Sequence, residues 1–148
     1  ADEILIKKII SIGINNIQLH GNETVEFCKF IKQKYKIKIF KGIGIEIYND
    51  LLKAKKYFNV ADWIIFDKKD TSLHGGTGQN FDWKILNKID ININYMISGG
   101  LTHKNVLKAL TITNANGVDV SSGVEEIHGV KSTKLISKFC GSVKLFKG

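Results

Sequence analysis

The sequence contains no proline and no arginine, and it has one methionine and two cysteines. All 22 basic residues are lysine, and the formal net charge is +8. Arginine dominates protein contacts to bases and phosphates, so its absence argues against nucleic-acid binding. Coding bias toward Lys, Ile and Asn is the preferred explanation of the positive charge. We therefore expect no nucleic-acid partner.

Long apolar runs are also missing, since no stretch approaches the roughly 18 residues that a membrane-spanning helix needs. The N-terminal residues ADEILIKK include acidic side chains and lack a cleavage-site pattern, unlike a signal peptide. Cys28 and Cys140 show no CxxC spacing for a metal, and each falls on the predicted apolar face of a helix. We expect buried structural thiols, a cytoplasmic protein, and neither a metal nor a membrane partner.

The length and composition suit a single globular domain. The chain has 148 residues, of which 43% are hydrophobic and 24% are charged, so a substantial core is possible. No linker or low-complexity segment divides it, which predicts one domain over residues 1–148. The chain begins with Ala1 rather than methionine, and from this we expect it to start inside a longer protein.

Apolar spacing predicts one helix followed by five strand–helix units. The predicted strands are 16–20, 37–45, 63–66, 95–97 and 117–120. The predicted helices are 2–12, one opening at 21–23, 46–58, 82–89, one starting at Thr102, and 130–140. The expected apolar faces are Leu5, Ile9 and Ile12 in the first helix, and Phe27, Phe30 and Ile31 in the second. Strict alternation with short connections predicts an α/β fold with a parallel sheet.

Polar or glycine-rich residues follow each predicted strand. They are His20, Lys41, Asp67, Ser98-Gly99-Gly100, and Asp119 with Ser121-Ser122-Gly123. Parallel α/β proteins bind ligands at the carboxyl edge of the sheet, where these residues come together. We therefore predict a functional site at this edge.

Three glycine-containing stretches are candidate phosphate-binding loops: Gly76-Thr77-Gly78, Gly99-Gly100 and Ser121-Ser122-Gly123. Glycine allows backbone N–H groups to approach an anion closely, and helix N-termini add a favourable dipole. Tight turns between strands and helices are the alternative explanation.

Asp67 is the candidate acid, because it follows the apolar run Trp63-Ile64-Ile65-Phe66. Burial at such a strand end favours the protonated carboxyl, which can donate a proton to a leaving oxygen. A helix cap or a loop ion pair is the alternative role. His20 at the end of the first strand is equally compatible with substrate orientation and with a structural role.

Five stretches together resemble the phosphoribosylanthranilate isomerase family of tryptophan biosynthesis. They are IQLHGNE at 17–23, IIFD at 64–67, GGTGQNFDW at 75–83, YMISGGLTHKNV at 95–106 and GVDVSSGVEEIHGVK at 117–131. The resemblance implies a (β/α)8 TIM-barrel fold and an Amadori rearrangement of N-(5-phosphoribosyl)anthranilate, a small phosphorylated substrate. It implies no cofactor and no metal.

The resemblance also implies roles for individual residues. Asp67 matches the family's general acid, and His20 matches the histidine of its QLHG motif, near the substrate. The phosphate cradle would be formed by Gly76, Thr77, Gly78, Gly99, Gly100, Ser121, Ser122 and Gly123. We also predict that Lys41, a polar residue of the second strand, binds substrate.

The chain departs from the family in two respects. The family's base is a cysteine in a Lys-Ile-Cys-Gly motif after its first strand, and an arginine follows its second strand; neither is present. The matching segments correspond to strands four to eight, so we expect a partial barrel of about five βα units that lacks the first three strands. The missing strands would lie upstream or on another chain. The alternatives are a reduced, non-catalytic phosphate-binding half-barrel and a binding module dependent on the positive charge.

Overall fold

The computed structural model describes residues 2–69 and 81–147. The helices are α1 Glu3–Ser11, α2 Val25–Tyr35, α3 Tyr48–Ala54, α4 Val106–Thr113 and α5 Thr133–Lys144. The strands are β1 Asn16–Leu19, β2 Lys38–Ile45, β3 Trp63–Lys68, β4 Tyr95–Ile97, β5 Gly117–Val118, β6 Glu125–Ile127 and β7 Val130–Lys131. Short 3-10 helices cover Lys55–Tyr57, Trp83–Lys88 and Ser122–Val124. Within the described ranges, no helix has the length and apolar character needed to cross a bilayer.

Strands β1 to β5 form one sheet in chain order, and every neighbouring pair is parallel. The predicted α/β fold with a parallel five-stranded sheet is therefore confirmed. Strands β1 and β5 are the two edges of this sheet. The parallel register brings the carboxyl ends of all five strands to the same edge, where the polar residues were predicted to meet.

The helices pack against one face of the sheet. Ile39, Ile64 and Phe66 are fully buried, and the Phe66 ring makes an edge-on contact with Tyr95 at a centroid distance of 5.6 Å. Successive side chains on a strand point to opposite faces. Because Phe66 points toward the helices, the next residue, Asp67, lies on the opposite face of the sheet.

Side-chain caps fix where several helices begin. Asp2 accepts a hydrogen bond from the Leu5 N–H at 2.8 Å, and Thr24 accepts one from the Phe27 N–H at 3.1 Å. Each cap satisfies a backbone donor that the helix itself leaves without a partner. The second helix therefore begins after Thr24, slightly later than predicted.

The apolar faces of the first two helices differ from those predicted. In α1, Ile6 is fully buried, whereas Leu5 and Ile12 are 49% and 72% exposed. In α2, Ile31 is buried as expected but Phe30 is 44% exposed. Both helices offer more than one apolar stripe at helical spacing, and their docking against the sheet decides which stripe is buried.

Other differences lie toward the C-terminal end. Residues 82–89, predicted as a helix, form the shorter 3-10 helix Trp83–Lys88. The antiparallel hairpin β6–β7 precedes α5, which therefore begins at Thr133 rather than residue 130. Cys28 is buried as predicted, but Cys140 is exposed on α5, so its predicted burial is wrong. That face of α5 has no packing partner among the described residues at Cys140.

We predict that Ile64→Ala lowers the free energy of unfolding by about 2–5 kcal/mol, because it removes a fully buried side chain and leaves a cavity. The control is Ile12→Ala, the same change at a position that is 72% exposed, with an expected effect within about 0.5 kcal/mol. Urea unfolding followed by circular dichroism measures both. Equal losses for the two variants would contradict the assignment of the core.

Candidate active site

Asp67 lies near the carboxyl end of β3, on the face of the sheet opposite the helices. Its side chain is 26% exposed, and its Oδ1 accepts a hydrogen bond from the Lys68 N–H at 2.7 Å. The Nε2 of His20 lies 3.9 Å from Asp67 Oδ2. This separation exceeds hydrogen-bonding distance, so the interaction is electrostatic and requires a protonated imidazole. The structure thus brings together two of the predicted site residues.

Burial raises the pKa of the Asp67 carboxyl above its ordinary value. The Lys68 backbone hydrogen bond and the nearby His20 lower the pKa, while the Asp119 carboxylate raises it again. Desolvation therefore outweighs the groups that stabilise the charge. A carboxyl that keeps its proton more readily than usual is suited to act as a general acid.

Gly99 allows the loop after β4 to pack directly against Asp67. Its φ angle is +78°, and a Cβ at this position would lie 2.6 Å from Asp67 Oδ1 and 2.7 Å from the Lys68 nitrogen. A similar close approach occurs at Gly123, where a Cβ would lie 1.7 Å from the Leu101 carbonyl oxygen. These glycines bring the carboxyl end of β3 and the loops after β4 and β5 into contact.

The end of β3 and the two loops border an open cleft of about 200 Å³. Its lining includes the predicted residues Asp67, Gly99, Gly100, Ser121, Ser122 and Gly123. Asp119 and Ser98 also line it, and the Ser98 hydroxyl donates a hydrogen bond to Asp119 Oδ2 at 3.2 Å. Gly76, Thr77 and Gly78, the third predicted loop, lie outside the described residues. The candidate acid and two of the predicted phosphate loops therefore share one cleft.

Lys41 is on the other face of the sheet from this cleft. It lies in the middle of β2, between the buried side chains of Ile39 and Ile45 on the helix-facing side, and it is only 2% exposed. Its ammonium group is 3.2 Å from Glu23 Oε2. The structure therefore does not place Lys41 in the cleft with Asp67, although Lys41 and His20 both line a second open cavity of about 220 Å³. Substrate contact by Lys41 stays a prediction.

Lys131 is a neighbour of the cleft that sequence reasoning missed. Its ammonium donates hydrogen bonds to the Ser121 carbonyl oxygen, the Ser121 hydroxyl and Glu125 Oε1, at 2.9, 3.0 and 2.7 Å. The hairpin β6–β7 brings Lys131 back to Ser121, and Gly129 at its turn has a φ of +81°. The His128-Gly129 pair was the sequence signal for this turn.

The cysteines do not line the cleft. Cys28 is buried on α2, and desolvation raises the pKa of its thiol, while Cys140 is on the surface of α5. Neither thiol is placed to remove a proton from a molecule beside Asp67. Among the described residues, no group of three or more His, Cys, Asp or Glu side chains could hold a metal ion.

A parallel sheet with its helices on one face, and a glycine-lined cleft at the carboxyl ends of its strands, defines a TIM-barrel-type α/β protein. The family model for N-(5'-phosphoribosyl)anthranilate (PRA) isomerase matches residues 2–142. The chain belongs to this family.

Individual relatives agree with this assignment. An N-(5'-phosphoribosyl)anthranilate isomerase of Brucella canis is 39% identical over 145 residues, covering 96% of the chain and 65% of the relative. The Thermotoga maritima phosphoribosyl anthranilate isomerase structure is 33% identical, with a TM-score of 0.84 over 97% of the chain and 68% of that protein. Another isomerase structure, in complex with reduced 1-(o-carboxyphenylamino)-1-deoxyribulose 5-phosphate, is 30% identical with a TM-score of 0.77, and the match covers 97% of the chain and 66% of that protein. The chain thus spans about two thirds of these relatives' lengths.

We predict that Gly99→Ala displaces the Asp67 side chain and lowers the free energy of unfolding by about 1–3 kcal/mol, since it adds a clash at a left-handed backbone position. Gly141→Ala is the control: Gly141 is within α5, with open space around it, and the change should stabilise by about 0.5–1 kcal/mol. Urea unfolding measures both variants. A neutral Gly99→Ala variant would show that the close approach is not required.

We also predict that Asp67→Asn stabilises the fold near neutral pH. A carboxyl with a raised folded pKa destabilises the folded state as pH increases, beginning near its unfolded pKa and reaching a constant cost above its folded pKa. The asparagine avoids this cost and retains an oxygen acceptor for the Lys68 N–H. The gain should vanish below the ordinary carboxyl pKa of about 4.

The measurement is the unfolding free energy of the parent chain and of Asp67→Asn at a series of pH values. The prediction is that the stability of Asp67→Asn relative to the parent increases from acidic to neutral pH. A relative stability that instead decreases over this range would contradict it.

Proposed function

We propose that the chain contributes the carboxyl-terminal part of a phosphoribosylanthranilate isomerase, covering strands four to eight of a (β/α)8 barrel. The completed enzyme converts N-(5-phosphoribosyl)anthranilate to 1-(2-carboxyphenylamino)-1-deoxyribulose 5-phosphate in tryptophan biosynthesis, in the cytoplasm. The observation that carries the proposal is the partly buried Asp67 carboxyl, with its raised pKa, in one cleft with Gly99-Gly100 and Ser121-Ser122-Gly123. Family membership supports the same reaction.

Asp67 is the general acid of this proposal. Its neutral carboxyl donates a proton to the ribose ring oxygen, the bond from that oxygen to C1 breaks, and the anthranilate nitrogen supplies the electron pair that forms the imine. Removal of the C2 proton by a base then gives the enolamine, which becomes the aminoketose. His20, 3.9 Å from Asp67, stabilises the carboxylate left after proton transfer when its imidazole is charged.

The loops after β4 and β5 are the proposed phosphate-binding side of the cleft, together with Gly76-Thr77-Gly78. The described parts of these loops are short and glycine-containing, and they line the cleft from the side facing Asp67. A phosphate anchored there would hold one end of the substrate while the ring opens. The phosphorylated compound bound to the related isomerase has the matching chemistry.

The base is the missing element of the mechanism. Cys28 faces the protein core and Cys140 faces solvent on α5, so neither supports proton removal at C2. Strands β1 and β5 are the two edges of the sheet, and three further strands between them would complete an eight-stranded barrel. We therefore propose that a segment of three strand–helix units, on the same polypeptide or another, supplies the base.

A non-catalytic phosphate-binding half-barrel is the second candidate, favoured by the two described glycine loops and by the absence of a cysteine base among the described residues that line the cleft. It predicts phosphate binding by the chain but no isomerase activity even when the three strand–helix units are supplied.

We predict that the chain alone has little isomerase activity and that joining it to the first three strand–helix units of a relative restores turnover. In the completed enzyme, Asp67→Asn should lower kcat by about 10²–10⁴-fold, because proton transfer to the ring oxygen is lost. The decrease in phosphoribosylanthranilate fluorescence measures the rate.

The matched control is Asp62→Asn, the same change at the opposite end of β3. Asp62 contacts Lys32 at 3.0 Å and lies away from the cleft, so this variant should keep most of the rate. Full activity of the Asp67→Asn enzyme would exclude Asp67 as the acid. Wild-type-like turnover by the chain alone would refute the missing-base proposal.

A further inference from the structure

Lys41 forms an unusual set of contacts at the start of α2. Its ammonium donates to the carbonyl oxygens of Leu19 at 3.1 Å, Gly21 at 2.8 Å and Gly42 at 3.1 Å. It also donates to Glu23 Oε2 at 3.2 Å. The side chains of Lys41 and Glu23 are only 3% and 6% exposed. Four protein oxygens thus accept hydrogen bonds from the buried ammonium, in place of the water that would surround it on the surface.

Two of those oxygens flank His20 in the sequence. Leu19 precedes His20 and Gly21 follows it, so one ammonium binds the backbone on both sides of the histidine. The Glu23 carboxylate reinforces this arrangement, because its Oε2 also accepts a hydrogen bond from the Gly21 N–H at 3.0 Å. Lys41 and Glu23 together fix the backbone that carries the imidazole.

The imidazole occupies space that β2 leaves open on the other face of the sheet. A Cβ at Gly42 would lie 2.4 Å from His20 Nδ1, so the ring packs directly on the glycine backbone. The Gln18 amide nitrogen lies 3.2 Å from the same Nδ1. The ring is half exposed, with its Nε2 directed toward Asp67. Its position therefore depends on the backbone at residues 19–21.

A contribution to stability alone does not explain a buried ion pair. Removing two charges from water costs free energy that their attraction only partly returns, and apolar replacements are often as stable. The pair has a third partner in Tyr57, whose hydroxyl donates to the Glu23 carbonyl oxygen at 2.8 Å and whose ring centroid is 5.5 Å from the Lys41 ammonium. This network rigidly connects β1, β2 and the start of α2.

We propose that Lys41 and Glu23 form a positioning pair that holds His20 in register with Asp67, from the opposite face of the sheet. Lys41 acts through the backbone on either side of His20, and this role requires no contact between Lys41 and the substrate. The catalytic importance of the Lys41–Glu23 pair rests on the proposed isomerase function. Its effect on the position of His20 does not, because that position can be measured in the folded chain without any activity.

The first test is a structural measurement and does not require isomerase activity. In the full chain, nuclear Overhauser contacts between the His20 ring protons and the Gly42 α protons report the ring position, with the His20 signals assigned from a His20→Asn spectrum. We expect Lys41→Met and Glu23→Gln to lose these contacts while the rest of the spectrum stays folded. The control is Lys32→Met, which removes a second Lys contact to a carbonyl and a carboxylate, at Val60 and Asp62. It should leave the His20 contacts intact.

Retention of the His20–Gly42 contacts in a folded Lys41→Met or Glu23→Gln chain would overturn the proposal and leave a purely structural role. Glu23→Gln keeps the shape of the side chain and decides the question if Lys41→Met does not fold. Loss of the contacts in Lys32→Met as well would also count against the proposal, because the effect would then follow from general destabilisation.

The second test uses the completed enzyme. Misplacement of a catalytic-site group by about 1 Å can cost on the order of 100-fold, so Lys41→Met should lower kcat by up to that factor with a smaller change in KM. Adding His20→Asn to Lys41→Met should then cost little more, because both changes remove the same positioned group. Additive losses would contradict action through His20. An inactive completed parent enzyme would refute the proposed function, while the nuclear Overhauser result would still decide the role of Lys41.

Discussion

The site depends on how the Asp67 carboxyl is packed at the end of β3. Phe66 is fully buried against the helices, which directs Asp67 to the other face, and Gly99 packs so closely that no side chain fits between them. This packing partly shields the carboxyl from water, and the burial raises its pKa. The same constraint explains why the loop after β4 has a left-handed glycine at the point where it meets Asp67.

The two faces of the sheet therefore have different roles. The helix-facing side is a continuous apolar core interrupted by Lys41, which is buried among protein oxygens. The opposite side carries His20 and Asp67, the chemically active groups. Interactions on the first side determine the geometry on the second, because a strand transmits a backbone position to both faces. In the proposed enzyme, three additional strands would cover the active side and supply the base.

Much of this could be predicted from the sequence. The order of the elements follows from apolar spacing, and the polar residues after each strand indicate the edge where Asp67, His20 and the glycine loops meet. Burial depends on tertiary packing, so the apolar stripes of α1 and the exposure of Cys140 were predicted wrongly. The side chain of Lys41 lies on the helix side of β2, and its predicted contact with substrate stays a prediction. Lys131 reaches Ser121 only through a hairpin that apolar spacing does not reveal.

The most direct test of the account is the carbon-13 chemical shift of the Asp67 carboxyl carbon as a function of pH, assigned by comparison with Asp67→Asn. We predict a titration midpoint above the ordinary carboxyl value of about 4, since burial disfavours the charged form. A midpoint at or below that value would mean that hydrogen bonding and His20 outweigh burial. The central claim, that packing against Gly99 prepares Asp67 to donate a proton, would then be wrong.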